Sequence, residues 1–141
     1  MADYGKKSSD ILSACHPNLI RVMRTVVRVC DNSIRSGYRG EEEQNRLYAA
    51  GKSQRRWPDS KHNNSPSLAV DILPYPFYKE DWKDWSKFYY LAGHVMEVAH
   101  LFDTPIRWGG DWNCNNVFTD ERFRDMMHYE LLNLTNVVAP E

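Results

Sequence analysis

The sequence predicts an α+β fold built as a single domain. Its 141 residues are about what one hydrophobic core organises. Helical periodicity comes first along the chain, and short apolar strands then lie on either side of a long helix. This order differs from a strand–helix–strand repeat, which would favour a parallel sheet. We expect one domain over residues 1–141, with its core between about 17 and 132.

Three segments have the spacing of amphipathic helices. Residues 17–30 carry an apolar stripe with arginines on the opposite face, and Pro17 suits the first turn of a helix. Residues 41–50 begin with three glutamates, which favour a helix N-terminus, and Gly51 follows the segment. Residues 84–101 repeat aromatic and aliphatic side chains at helical spacing. The first stripe consists of Leu19, Val22, Met23, Val26, Val27 and Cys30.

Three short runs predict strands, at 68–73, 106–108 and 125–132. The first is apolar and β-branched, which is typical of a buried strand. Residues 51–67 are rich in Gly, Ser, Asn, Pro and charge, so they predict an exposed loop. The tail after Leu134 is expected to be loose.

The composition argues against several classes of protein. Lys plus Arg is 18 and Asp plus Glu is 19, a net charge of −1, whereas nucleic-acid binders normally have a basic excess. The apolar runs are far shorter than the ~20 residues of a membrane span, so stable membrane insertion is not expected. The N-terminus lacks the apolar core of a signal peptide. The three cysteines suit reduced thiols better than a disulfide framework.

One carboxylate and one histidine are the first candidates for chemistry. Asp71 lies inside the apolar run, where a charge is costly unless it is paired or bound to a metal. His62 precedes it across a loop that could fold back and bring the two side chains together. The alternatives are an Asp satisfied by backbone N–H groups at a strand end and a solvated surface histidine.

A second group lies near the C-terminus. In a strand, alternation points His128 and Glu130 to the same face, where the carboxylate could support a histidine ligand. Asp125 would lie at the start of that strand, within reach of the same centre. The alternative is a short polar strand edge.

Together His62, Asp71 and His128 offer two imidazoles and one carboxylate. Catalytic zinc typically has three protein ligands and an open position for water. Asp125 would then remain as a base near that water. The sequence lacks His-Glu-x-x-His, so it is not a metalloprotease of that kind.

These motifs and their order resemble the zinc peptidases of the VanY-type D-alanyl-D-alanine carboxypeptidase family. The likeness is greatest to single-domain phage endolysins that are L-alanyl-D-glutamate peptidases. It covers about residues 17–132. The segments that carry it are Ser60-Lys-His62, Ser67-Leu-Ala69-Val-Asp71 and Asp125-x-x-His128-x-Glu130, with Gly37-Tyr-Arg39, Glu43-Gln44 and Trp108-Gly-Gly-Asp111-Trp112-Asn113 beside them.

The resemblance implies a Hedgehog/D-Ala-D-Ala peptidase-like fold, with a small antiparallel sheet, flanking helices and one zinc ion in a cleft. It implies that His62, Asp71 and His128 are the zinc ligands. Asp125 would be the general base and acid, and Arg39 would steady the oxyanion or a substrate carboxylate.

Two further residues, Glu130 and Gln44, would support the site or contact the substrate. One departure from the family pattern concerns the segment between His62 and Asp71. It is longer by about two residues, and Ser65-Pro66-Ser67 stands in place of the usual glycine.

The implied substrate is the stem peptide of bacterial peptidoglycan, cut by a monomeric enzyme. A phage lysin of this kind stays in the host cytoplasm until lysis and then acts in the periplasm and cell wall. Two alternatives stay open: a D-Ala-D-Ala type carboxypeptidase, and a non-catalytic metal- or wall-binding module of the same fold.

Overall fold

The computed structural model describes residues 2–132. Four α-helices and four strands alternate irregularly along this part of the chain, with single 3-10 turns at Lys61–Asn63 and Lys79–Trp82. The helices are α1 (Lys6–Leu12), α2 (Pro17–Val29), α3 (Glu41–Ala49) and α4 (Ser86–Leu101). The strands are β1 (Asn32–Ser36), β2 (Ala69–Pro74), β3 (Ile106–Trp108) and β4 (His128–Leu131). The α+β class and the small sheet are therefore confirmed.

The four strands form one antiparallel sheet in the order β1-β2-β4-β3. The two central strands are thus β2 and β4, which are distant along the chain. Their register sets Asp71 opposite His128. In the neighbouring pair, Arg107 of β3 lies opposite Glu130 of β4. Residues that lie opposite each other share a face, so these four side chains share one face of the sheet.

The other face of the sheet forms the hydrophobic core. Val70 and Ile72 of β2 and Tyr129 of β4 are almost fully buried among the helices. Helix α4 packs against β2, β3 and α2. Full burial of an aliphatic or aromatic side chain contributes roughly 1.5–3 kcal/mol each, so this layer holds the sheet rigid beneath the polar face.

Helix α2 shows how the sequence forms this layer. Its predicted stripe is buried from Leu19 to Val27, and Pro17 is its first residue. The Nδ1 atom of His16 accepts a hydrogen bond from the N–H of Asn18 at 3.1 Å, which caps the helix. No helix within residues 2–132 has both the length and the apolar character that a membrane crossing requires.

The structure differs from the sequence expectations in four places. The prediction omitted α1 and β1, and it started the last strand at residue 125, whereas β4 begins at His128. The predicted exposed loop at 51–67 is only partly exposed. Its second part buries four polar side chains, those of Ser60, His62, Asn63 and Ser67. The predicted loose tail lies outside the residues that the structure describes.

Candidate metal centre and active site

Three side chains from three parts of the chain meet on the polar face of the sheet. The Oδ1 atom of Asp71 lies 3.2 Å from Nε2 of His62 and 3.1 Å from Nδ1 of His128. All three side chains are buried, and the potential ligand atoms lie within 4.8 Å of one another. The sequence prediction that these three residues converge is met by this geometry.

The outer nitrogen of each imidazole is anchored away from the centre. Nδ1 of His62 lies 2.7 Å from the carbonyl oxygen of Gly37, which can only accept, so this nitrogen carries the proton. Nε2 of His128 donates in the same way to Oε1 of Glu130 at 2.8 Å. The inner nitrogens therefore face Asp71, where each can carry a proton that bonds Oδ1 of Asp71 or offer a lone pair to a cation. Such outer hydrogen bonds are the usual supports of metal-ligating histidines.

The chemistry of this donor set fits a cation. Two imidazole lone pairs and a carboxylate oxygen converge, and a positive charge between them stabilises all three. Burial alone would lower the pKa of His128, but hydrogen bonds to Asp71 and Glu130 raise it to about 9. Burial alone would raise the pKa of Asp71, but His62 and His128 hold it well below its ordinary value. The centre therefore favours positive charge.

Arg39 faces the second oxygen of the central carboxylate. Its Nη2 lies 3.5 Å from Oδ2 of Asp71, and its backbone N–H donates to the carbonyl of His62 at 2.8 Å. Its Nε has no hydrogen-bond partner within residues 2–132 and lies 3.9 Å from a carboxylate oxygen of Glu43. A guanidinium at this position can stabilise negative charge beside the ligand set.

Gln44 joins Arg39 to the loop that carries His62. It is fully buried, and its Oε1 accepts from Nη1 of Arg39 at 3.0 Å and from Nδ2 of Asn63 at 3.1 Å. Its Nε2 donates to the carbonyl of Arg55 at 2.6 Å. The full burial of Gln44 favours support of Arg39 over direct contact with a substrate.

Asp125 lies in the turn before β4, not in the strand. Its backbone N–H donates to the carbonyl of Gly109 at 2.9 Å, and its carbonyl accepts from the N–H of His128 at 3.2 Å. Burial raises the pKa of the Asp125 carboxyl, and the negative charge of Asp71 raises it further. A half-buried carboxyl whose pKa is raised in this way can take up and release a proton near neutral pH more readily than an exposed one.

Glu130 is held by two cations that the sequence analysis did not connect with it. Its Oε2 lies 2.7 Å from Nη2 of Arg107 and 3.4 Å from Nζ of Lys61. Burial alone would raise the pKa of Glu130, but hydrogen bonds to His128 and Arg107 lower it to about 2. Strand alternation between Ile106 and Trp108 was the available signal for Arg107, because it predicts a polar-face position.

Comparison with a protein-family model and with solved structures shows which known peptidases the chain is similar to. The family model for phage L-alanyl-D-glutamate peptidases matches residues 2–132. Among solved structures, the chain is similar to the L-Ala D-Glu endopeptidase ChiX of Serratia marcescens, with a TM-score of 0.72 and 25% sequence identity. That alignment covers 93% of this chain and 90% of the other.

Proposed function

Since the chain belongs to the phage L-alanyl-D-glutamate peptidase family, we propose that it is a zinc-dependent endopeptidase that cleaves the L-Ala–D-Glu bond of peptidoglycan stem peptides. The observation that carries the proposal is the convergence of His62, Asp71 and His128 on one point. The likeness to a Serratia marcescens enzyme with this activity, over 93% of the chain, supports the same reaction.

Nε2 of His62, Oδ1 of Asp71 and Nδ1 of His128 would hold the zinc ion. Two nitrogens and one oxygen suit zinc, and three protein ligands are typical of its catalytic sites. When bound, zinc supplies a Lewis acid and lowers the pKa of water from about 15.7 to about 7. The carbonyl of Gly37 and the carboxylate of Glu130 keep the two rings oriented for this purpose.

Asp125 is the proposed general base and acid. Its carboxylate takes a proton from the water that attacks the L-Ala carbonyl carbon, and a C–O bond forms. It then gives the proton to the departing nitrogen of D-Glu as the C–N bond breaks. The products are a carboxylate on L-Ala and a free amine on D-Glu.

Arg39 is the proposed electrostatic partner of that step. Its guanidinium, fixed by Gln44 and facing Asp71, stabilises the negative charge that develops on the carbonyl oxygen. Removal of one such donor typically costs about 100–1000-fold in rate. Asp125 and Arg39 are thus the two proposed catalytic side chains in addition to the three zinc ligands.

The proposed setting is host lysis by a phage. The family description names a phage enzyme, which supports synthesis in the host cytoplasm and action on the cell wall after lysis begins. We propose a monomer of one domain that acts on peptidoglycan, with neither nucleic acid nor stable membrane insertion in its function.

The test is digestion of purified muropeptides, read by mass spectrometry. We expect fragments that end at L-Ala together with fragments that begin at D-Glu. A chelator should abolish them, and added zinc should restore them. The Asp125→Asn variant should bind zinc normally yet lose at least about 100-fold in rate.

Each other outcome assigns a different function. Release of D-Ala alone would identify a carboxypeptidase. Wall binding without any cleavage product would identify a non-catalytic module. Cleavage that continues in fully metal-free protein would contradict the zinc mechanism.

A further inference from the structure

Glu130 is fixed at both of its oxygens. Oε1 accepts from His128 at 2.8 Å, while Oε2 accepts from Arg107 at 2.7 Å and lies 3.4 Å from Lys61. The side chain is buried, so these contacts determine its orientation. A carboxylate held on one side by a cation cannot rotate away from the imidazole on its other side.

Arg107 also reaches His128 by a second route, through Trp112. The guanidinium carbon lies 5.4 Å from the centroid of the Trp112 ring, and Nη1 lies 3.5 Å from the Trp112 carbonyl oxygen. The same indole lies against His128, with ring centroids 5.4 Å apart. On the loop side, Phe123 stacks on Trp112 at 6.3 Å. The indole is therefore held between Arg107, Phe123 and His128.

The two routes restrict different motions of the same imidazole. The bond to Glu130 fixes the direction in which Nε2 of His128 points, but the ring can still tilt about that bond. The packed face of Trp112 opposes that tilt. Arg107 contacts both of these supporting residues. The β3–β4 register sets it directly opposite Glu130, and its guanidinium lies over the Trp112 ring.

We propose that Arg107 is a positioning residue for zinc binding: it braces His128 through Glu130 and through Trp112, so that Nδ1 stays aimed at the centre. This inference rests on the proposed function, because it needs a metal at that centre. An arginine suits the role better than a lysine, since its planar fork bonds a carboxylate and stacks on an aromatic ring at the same time.

The test compares zinc affinities by competition with a chromogenic chelator, using the full chain. Arg107→Met keeps the alkyl stem and removes the guanidinium, and we expect zinc affinity to fall about 10–100-fold. Arg107→Lys keeps the positive charge but lacks the planar guanidinium, so its zinc affinity should lie between those of the wild type and Arg107→Met. Arg21→Met is the matched control, because Arg21 also lies over an aromatic ring, 4.0 Å from the centroid of Phe102, yet within residues 2–132 it makes no ion pair with a proposed site residue.

A double-mutant cycle separates this role from general stabilisation. If Arg107 acts partly through Glu130, the zinc-affinity loss in the double variant should be smaller than the sum of the losses of Arg107→Met and Glu130→Gln. The share that Arg107 exerts through Trp112 remains when Glu130 is changed. Additive losses would show that Arg107 does not act through Glu130, and the inference would be wrong.

A metal-free readout keeps the inference distinct from the proposed function. In the metal-free protein, the Nε2–H proton of His128 should exchange with water faster in Arg107→Met than in wild type, measured by NMR. Unchanged zinc affinity and unchanged exchange in Arg107→Met would overturn the positioning role and leave the zinc centre intact. Failure of the wild-type protein to bind zinc would overturn the zinc centre and this inference together.

Discussion

Gly109 and Asp125 are in direct backbone contact: the Asp125 N–H donates to the Gly109 carbonyl at 2.9 Å, and a Cβ on residue 109 would lie only 2.1 Å from the Asp125 carbonyl oxygen. The N–H of Gly109 also donates to the carbonyl of His128 at 2.8 Å. A side chain at position 109 therefore cannot be accommodated without moving the segment that carries the proposed base and one proposed ligand.

We predict that Gly109→Ala lowers kcat by about 100-fold, because displacement of a catalytic group by about 1 Å can cost that much. Steady-state kinetics on a muropeptide measures the effect. Gly93→Ala is the control: it lies within α4 with no atom near its added Cβ, and it should keep full activity with slightly higher stability. Wild-type kcat in Gly109→Ala would show that the contact does not position Asp125.

The acid side of the pH–rate profile should report Asp125. Burial and the Asp71 charge raise the pKa of Asp125 above its ordinary value of 3.8, and the base acts only when ionised. We therefore expect kcat/KM to fall as pH drops and the Asp125 carboxylate takes up a proton. Zinc content, measured at each pH, separates proton uptake by Asp125 from loss of metal. An Asp125→Asn variant with the same acid limb would assign that limb to another group.

Gln44→Leu should reduce both stability and activity. It removes the hydrogen bonds that Gln44 makes to Arg39, Asn63 and the Arg55 carbonyl, and a buried polar group left unsatisfied costs about 1–3 kcal/mol. Urea denaturation measures the first effect, and kcat measures the displacement of Arg39. Glu42→Gln, an exposed change on the same helix, should stay within about 0.5 kcal/mol of wild type. A stability loss with normal kcat would limit Gln44 to a role in holding the loop.

Zinc should stabilise the folded chain. At a free zinc concentration 100 times Kd, the free energy of unfolding should rise by about 2.7 kcal/mol, which is roughly 5–12 °C in Tm for a domain of this size. Differential scanning fluorimetry with and without chelator measures it. His62→Ala should show almost none of the shift, whereas His100→Ala, an exposed change on α4, should show all of it. An equal shift in His62→Ala would place the zinc elsewhere.

Two members of the proposed ligand set, Asp71 and His128, were accessible from strand patterns in the sequence, whereas His62 was found from its position in the loop before Asp71 and from the family resemblance. Asp71 is a charge in an apolar strand, and alternation sets His128 and Glu130 on one face, where the structure has them 2.8 Å apart. Periodicity also found α2 and α4, whose apolar stripes are long. Patterns that extend over several turns or alternate over several residues are strong enough to read without coordinates.

The features that the sequence did not predict depend on contacts between distant segments, which no local pattern indicates. Strand β1 has one strongly apolar side chain, Ile34, so neither periodicity nor alternation marks it. The contact between Arg107 and Glu130 comes from the register of β3 against β4. Ser67 is a polar loop residue that is nevertheless buried. Its N–H donates to the carbonyl of Ala14, a distant residue, at 2.9 Å, and no local pattern predicts that contact.

The order of the strands also bears on when the enzyme becomes active during its synthesis. His128 begins the last strand of residues 2–132, and its partner Asp71 lies 57 positions earlier. A ribosome-bound chain that has not yet released β4 carries two of the three proposed ligands and no central strand pair. Metal capture, and with it any hydrolytic capacity, is thereby postponed until β4 has left the ribosome.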